Sequence, residues 1–157
     1  MARVLGDTLP KEIMQALDGR YLERKFGSAY LMVTSDADGT PRPCMLSAGE
    51  VLARDEKTLR VGLWPHSNTS RNLARGSPVL ICFVAPGTVL YVKGRARPLA
   101  PVEGVDIARF EVTVTVVESD LHEGLPVVQG ISFTSETGDI GPILDGWRRV
   151  LAALAAD

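Results

Sequence analysis

The sequence predicts a mainly β protein, a small barrel with peripheral helices, and three observations point to it. At least six runs have strand character and are separated by turn residues at short intervals. Phe110, Val112, Val114 and Val116 alternate with Glu111, Thr113 and Thr115, a period of two that puts apolar side chains on one face of a strand. Helical periodicity is confined to the two ends of the chain and one short central stretch. Short antiparallel strands escape unpaired edges by curling into a barrel, so a single domain over residues 1–157 is expected.

Pro10 stands near the start of a short leading helix, in which Ile13, Met14 and Leu17 form an apolar stripe before Gly19 ends it. Ala29 to Thr34 is apolar and β-prone. Asp36-Ala37-Asp38-Gly39-Thr40 supplies a hairpin turn, and Arg42 to Ser47 reads as the return strand, continued or bent through Ala48 to Ala53. After the polar turn Arg54-Asp55-Glu56-Lys57, Leu59, Val61 and Leu63 alternate with Arg60 and Gly62 as far as Trp64-Pro65. Ser70 to Arg75 allows little more than two helical turns, closed by Gly76 and Ser77-Pro78. Val79 to Val84 is continuously apolar, the pattern of a strand buried on both faces, and Ala85-Pro86-Gly87 turns it into Val89 to Arg97. A further strand is expected near Val127 to Phe133. The tail is an amphipathic helix with Ile143, Leu144, Trp147, Val150, Leu151 and Leu154 on one stripe and Asp145, Arg148 and Arg149 opposite.

Composition removes several function classes. The net charge is −2, and no run of Lys and Arg is long enough to track a phosphate backbone, so a nucleic-acid partner is not expected. Met1 to Gly6 has no apolar leader core and Val79 to Ala85 is too short to span a bilayer, so a cytoplasmic protein without a membrane partner is expected. Cys44 and Cys82 sit inside strand patterns without CxxC spacing and read as reduced, half-buried thiols. His66 and His122 are too few to build a clustered metal site, and no metal is expected.

The chemistry concentrates in His66-Ser67-Asn68-Thr69-Ser70-Arg71-Asn72, between two strands. Hydroxyls, amides and a guanidinium packed into the turn that opens a helix can converge on one dianion, which points to a small phosphorylated ligand. Ordinary capping uses the same residue types, so composition here leaves both roles open.

Gly39-Thr40-Pro41-Arg42-Pro43, Leu59-Arg60-Val61-Gly62-Leu63, Thr69-Ser70-Arg71-Asn72-Leu73, Ser77-Pro78-Val79 and Val92-Lys93-Gly94-Arg95-Ala96 follow one another in this order. Together they resemble the landmarks of the pyridoxamine 5′-phosphate oxidase-like, FMN-binding split-barrel family, from about Ala29 to Arg97. The resemblance implies a six-stranded antiparallel split β-barrel, usually a homodimer with flavin in the cleft between subunits. It places the FMN phosphate at Ser67, Thr69, Ser70, Arg71 and Asn72, with Arg71 where many relatives carry Lys. It lays the isoalloxazine along Pro43, Cys44, Met45 and Leu46, with Trp64 as a wall. The Val-rich strand from Phe110 to Val117 is the apolar surface a partner subunit is expected to cover.

The implied activity is that of a flavin-dependent oxidoreductase acting on a small molecule, with a deazaflavin cofactor as a variant. A non-catalytic flavin- or phosphate-ligand-binding protein is the alternative. No catalytic side chain is assigned: the flavin carries the redox chemistry, and His66 reads as a loop donor or a bystander. Lys93 and Arg95 read as a solvated strand face. No GxGxxG follows a strand, so a nicotinamide donor would dock only transiently. The family's oxidases carry a C-terminal Trp and Arg segment over the site. Here Trp147, Arg148 and Arg149 belong to the amphipathic helix, and oxidation of pyridoxamine phosphate is not the expected activity.

Overall fold

The computed structural model describes residues 1–157. Its strands are β1 (Arg3–Gly6), β2 (Ala29–Ser35), β3 (Pro41–Ser47), β4 (Val51–Asp55), β5 (Thr58–Leu63), β6 (Pro78–Ala85), β7 (Thr88–Pro98) and β8 (Ala108–Ser119). Its helices are α1 (Lys11–Ala16), α2 (Leu22–Lys25), α3 (Asn68–Ala74) and α4 (Gly141–Ala155). The strands form one antiparallel sheet in the order β3-β2-β6-β7-β8-β5-β4, with β1 paired to β8 off that path. The sheet curls around Met32, Leu59, Val61, Ile81, Val92 and Val117, and its two edge strands, β3 and β4, are consecutive in the chain across Ala48–Glu50. That is a split barrel. No helix is long and apolar enough to cross a membrane.

Several expectations change. The sheet has eight strands, not six. β4 is a strand of its own beyond a tight turn, closed by a hydrogen bond from Glu50 N to Ser47 O at 3.1 Å. Val127 to Phe133 is not a strand but an extended strap across one end of the barrel. It runs across strands instead of along one, held where Gly87 N donates to Val127 O (2.8 Å), Ala29 N to Ile131 O (3.1 Å) and Phe133 N to Gly27 O (2.9 Å). Gly130 permits the crossing, because a Cβ there would lie 1.9 Å from the Val84 carbonyl oxygen.

The alternation on β8 also breaks. Lys93 pairs with Val116 and Gly94 with Val114, leaving Thr115 as the extra residue of a bulge, so Val117 enters the core and Val116 is only half-buried. β8 lies mid-sheet between β7 and β5, and its apolar face is therefore spent inside the barrel, not offered to a partner. β6 buries Val79, Ile81 and Phe83 fully, while Leu80, Cys82 and Val84 on its outer face stay half-exposed. It is thus a one-sided strand.

α4 packs Leu144, Trp147, Leu151 and Leu154 into the core, with Ile143 outside the buried stripe. Its last carbonyls are orphans by helix geometry, and arginines from the sheet satisfy them. Arg54 Nη1 donates to Ala155 O (2.7 Å), Arg60 Nη1 to Leu154 O (3.0 Å) and Ala156 O (2.6 Å), and Arg109 Nη1 to Ala100 O (2.7 Å) with Nη2 on Ala156 O. Arg60 Nε also donates to Glu111 at 3.0 Å. Burial pushes the Glu111 carboxyl up, but hydrogen bonds from Arg97 and Arg60 outweigh it and hold the group below its ordinary range.

Candidate functional site

The residues expected to form the cradle lie in the turn after β5 and the start of α3. Ser67, extended at φ −68° and ψ 154°, caps α3: its Oγ accepts from Ser70 N at 3.1 Å. Ser67 Oγ also lies 3.0 Å from Ser70 Oγ, which donates to Trp64 O at 2.7 Å. These contacts bind the loop to the end of β5. Arg71 is exposed and folds back on its own loop, donating to His66 O at 2.8 Å and to Asn68 Oδ1. No carboxylate pairs with it, so its charge is available to an anion that displaces two neutral acceptors.

Asn72 does not join the cradle. It is 2 % exposed, and its Nδ2 donates to Thr34 Oγ1 (3.0 Å) and Asp36 Oδ1 (2.8 Å), while its Oδ1 accepts from Arg75 (2.8 Å). It ties α3 to the β2–β3 hairpin. Arg42 grips the same Asp36 through Nε (2.8 Å) and Nη2 (2.6 Å), and these bonds, with that from Asn72, bring its carboxyl down to about 2.

β3 is an edge strand. Its side chains split, with Pro43 and Met45 exposed, Cys44 half-buried and Leu46 buried at 1 %. Leu46 is core, so its side chain cannot touch a ligand. Ser47 N points away from β2 to Glu50, and by alternation the Pro41, Pro43 and Met45 backbone groups face the same open side. Prolines have no N–H to leave unpaired there, which suits an outer edge. Between Pro43 and Ser47 that edge offers one free donor, Met45 N–H. Burial raises the Cys44 thiol above its ordinary value, opposed by the Thr69 hydroxyl, and α3 packs against β3.

Two grooves meet at the end of this strand, sharing Ser47, Glu50 and Phe133. One, of about 570 Å³, passes between Trp64, Trp147, Ile107 and Glu50; the other, of about 280 Å³, continues past Met45, Phe133 and Glu50. Trp64 is 75 % exposed at the rim. Glu50 was not among the sequence candidates. Its Oε2 accepts from both Ser47 N and Ser47 Oγ at 2.7 Å, and the S-x-x-E spacing of Ser47 and Glu50, the sequence form of a side chain that reaches back to cap a turn, is the signal for it. His122 lies in a separate turn, bridged to Leu125, and neither it nor Cys82 lines either groove.

No protein-family model matches the chain. Protein YclD of Bacillus subtilis (strain 168) is 27% identical over 144 residues, 90% of this chain and 92% of that one. Among solved structures, a candidate pyridoxamine 5′-phosphate oxidase from Lactobacillus delbrueckii superposes with a TM-score of 0.57 at 21% identity, over 74% of this chain and 98% of that one. An F420 reductase superposes at 0.51 and 17% identity, over 69% and 98%. A heme binding protein from Mycobacterium smegmatis superposes at 0.52 and 14%, over 85% of this chain and 60% of that one. At these identities the likeness establishes the fold, and it agrees with the curled antiparallel sheet and its open β3 edge. The chain has the split-barrel fold of these structures.

Proposed function

We propose that the protein binds FMN along β3 and acts as a flavin-dependent oxidoreductase on a small molecule. The observation that carries this is the donor set of one turn: an exposed, carboxylate-free Arg71 next to the Ser67 cap, with the buried Thr69 and Ser70 beneath, on a helix that packs against the edge strand β3. Arg71 and Ser67 would hold the phosphate, with the buried Thr69 and Ser70 lining it, and Asn72 would act only through the hairpin it braces. The open-edge backbone groups of Pro43 and Met45 would face the ring's polar edge, with Trp64 beside it, while those of Cys44 and Leu46 pair with β2. When bound, the flavin supplies hydride or electron transfer; the chain supplies position, a fixed positive charge and a dry wall.

The fold alone does not select among flavin, deazaflavin and heme, since an F420 reductase and a heme binding protein share it. The phosphate-directed donors favour FMN. The exposed Met45, Trp64, Ile131 and Phe133 border the same edge, which supports a two-fold homodimer closing over the cleft. The visible spectrum of the purified protein tests the ligand: flavin bands that bleach with reduced nicotinamide support the reading, and a heme spectrum or a colourless protein that takes up no FMN refutes it. Light scattering tests the assembly, and a flavin-loaded monomer would remove the dimer from it.

A further inference from the structure

We infer that the groove beside β3 is a binding site for an organic cation, an apolar or aromatic body carrying a protonated amine, with Glu50 as the residue that selects it. Glu50 lines both grooves at their junction, where they meet along the turn between the two sheet edges. Its carboxylate is fixed, because Oε2 accepts two hydrogen bonds from Ser47, and no Lys, Arg or His pairs with it. That leaves Oε1 without a protein donor. A half-buried carboxylate with an open oxygen in an apolar groove favours a ligand that brings its own positive charge.

The walls fit the same class. Trp147 and Phe133 stand edge to face at 6.3 Å, and Trp64 projects at the rim, so three aromatic side chains line the groove that Glu50 also lines. Aromatic faces and a carboxylate both attract a cation, whereas a neutral or anionic body gains only from the rings. The other charged groups lining the groove are Asp106 and Arg149, both exposed. Two carboxylates against one guanidinium leave the groove net negative.

This rests on the proposed function only for what happens to the ligand afterwards: the groove adjoins the strand assigned to the flavin ring, so its occupant is placed as that ring's reaction partner. The binding step stands apart from it. The chain's two tryptophans both line this groove, so intrinsic fluorescence reports on it directly whatever the neighbouring cleft holds.

The test titrates the protein as purified with benzylamine, benzyl alcohol and phenylacetate at neutral pH, following tryptophan emission. Benzylamine should saturate with a Kd about tenfold or more below that of benzyl alcohol, the factor of a hydrogen bond to a charged group, and phenylacetate should bind more weakly than either. Glu50→Gln should bring benzylamine to the level of benzyl alcohol, while Ser47→Ala, which keeps the charge and the backbone donor, should retain the preference. Equal binding of amine and alcohol, no saturable change with any probe, a preference that survives Glu50→Gln, or one lost in Ser47→Ala would each overturn the inference. A protein that prefers benzylamine yet takes up no FMN upholds it and sinks only the flavin reading.

Discussion

Gly49 is the position at which one methyl group should do the most damage. A Cβ built there lies 2.0 Å from Trp147 Cγ, 2.3 Å from Cδ1 and 2.4 Å from Cδ2, so the indole rests directly on the glycine. Ordinary carbon contacts begin near ~3.5 Å, and relief therefore needs a movement of about 1.5 Å. The ring has little freedom to make it. Phe26 lies 5.7 Å and Phe133 6.3 Å from it, and α4 is pinned at its far end by Arg54, Arg60 and Arg109. Gly49 is not in the left-handed region, so alanine brings no backbone strain and the cost is steric. Overpacking of this severity belongs at the upper end of the ~1–3 kcal/mol range, which for a chain of this length lowers Tm by roughly 6–10 °C. Calorimetry of Gly49→Ala measures it. Gly49→Ala/Trp147→Leu should recover part of the loss, because the second change removes the obstacle. A single mutant that melts within about 1 °C of the wild type would refute the packing argument.

Other outcomes follow from the same contacts. Asp36 is held at about 2, chiefly by Arg42, below its unfolded value; its stabilising contribution is full above the unfolded pKa and is lost as pH falls through the folded one. The Tm difference between wild type and Asp36→Asn should therefore shrink as pH drops from about 5 to 2, and a constant difference would exclude the ion pair as its source. Asn72→Ala should destabilise the flavin-free protein by about 1–3 kcal/mol by leaving the buried Thr34 hydroxyl without its donor and removing one of the donors to Asp36, whereas the exposed Arg71→Ala should leave its Tm unchanged. Denaturant melts of the two variants separate a brace from a ligand contact. Cys82→Ser and His122→Ala should leave stopped-flow flavin reduction close to wild type at full occupancy, since both lie away from the grooves, and a large rate loss in His122→Ala would make that side chain catalytic.

What the sequence made legible was local. The hairpin over Ala29 to Ser47 is readable because Asp36 to Thr40 carries its turn chemistry, and the observed register closes Ser35 on Pro41 across it. β1 has no such mark: Arg3-Val4-Leu5-Gly6 is exposed throughout and exists only because the distant end of β8 offers a ladder. Val127 to Phe133 is β-prone, but composition does not say whether a neighbouring strand lies alongside. At Val116-Val117 the alternation fits either phase, and the bulge opposite Gly94, where a Cβ would meet Thr113 O at 2.5 Å, decides it. The cradle's residue types were legible and their directions were not. Helical spacing sets Thr69, Asn72 and Leu73 on the buried side of α3, leaving Asn68 and Arg71 outside, and Asn72 is engaged with Thr34, Asp36 and Arg75. Glu50 was passed over because a carboxylate in a turn looks like solvent-facing punctuation until the fold closes two grooves around it.

The central claim is that a phosphate-bearing flavin is held by Arg71, and paired titrations of FMN and riboflavin against wild type and Arg71→Ala test it most directly. FMN should bind the wild type more tightly than riboflavin. Removing the guanidinium should cost FMN about 1.5–3 kcal/mol, a loss of roughly ten- to 150-fold, and leave riboflavin almost untouched. Equal affinity of the wild type for FMN and riboflavin, or an unchanged FMN affinity in Arg71→Ala, would contradict the account.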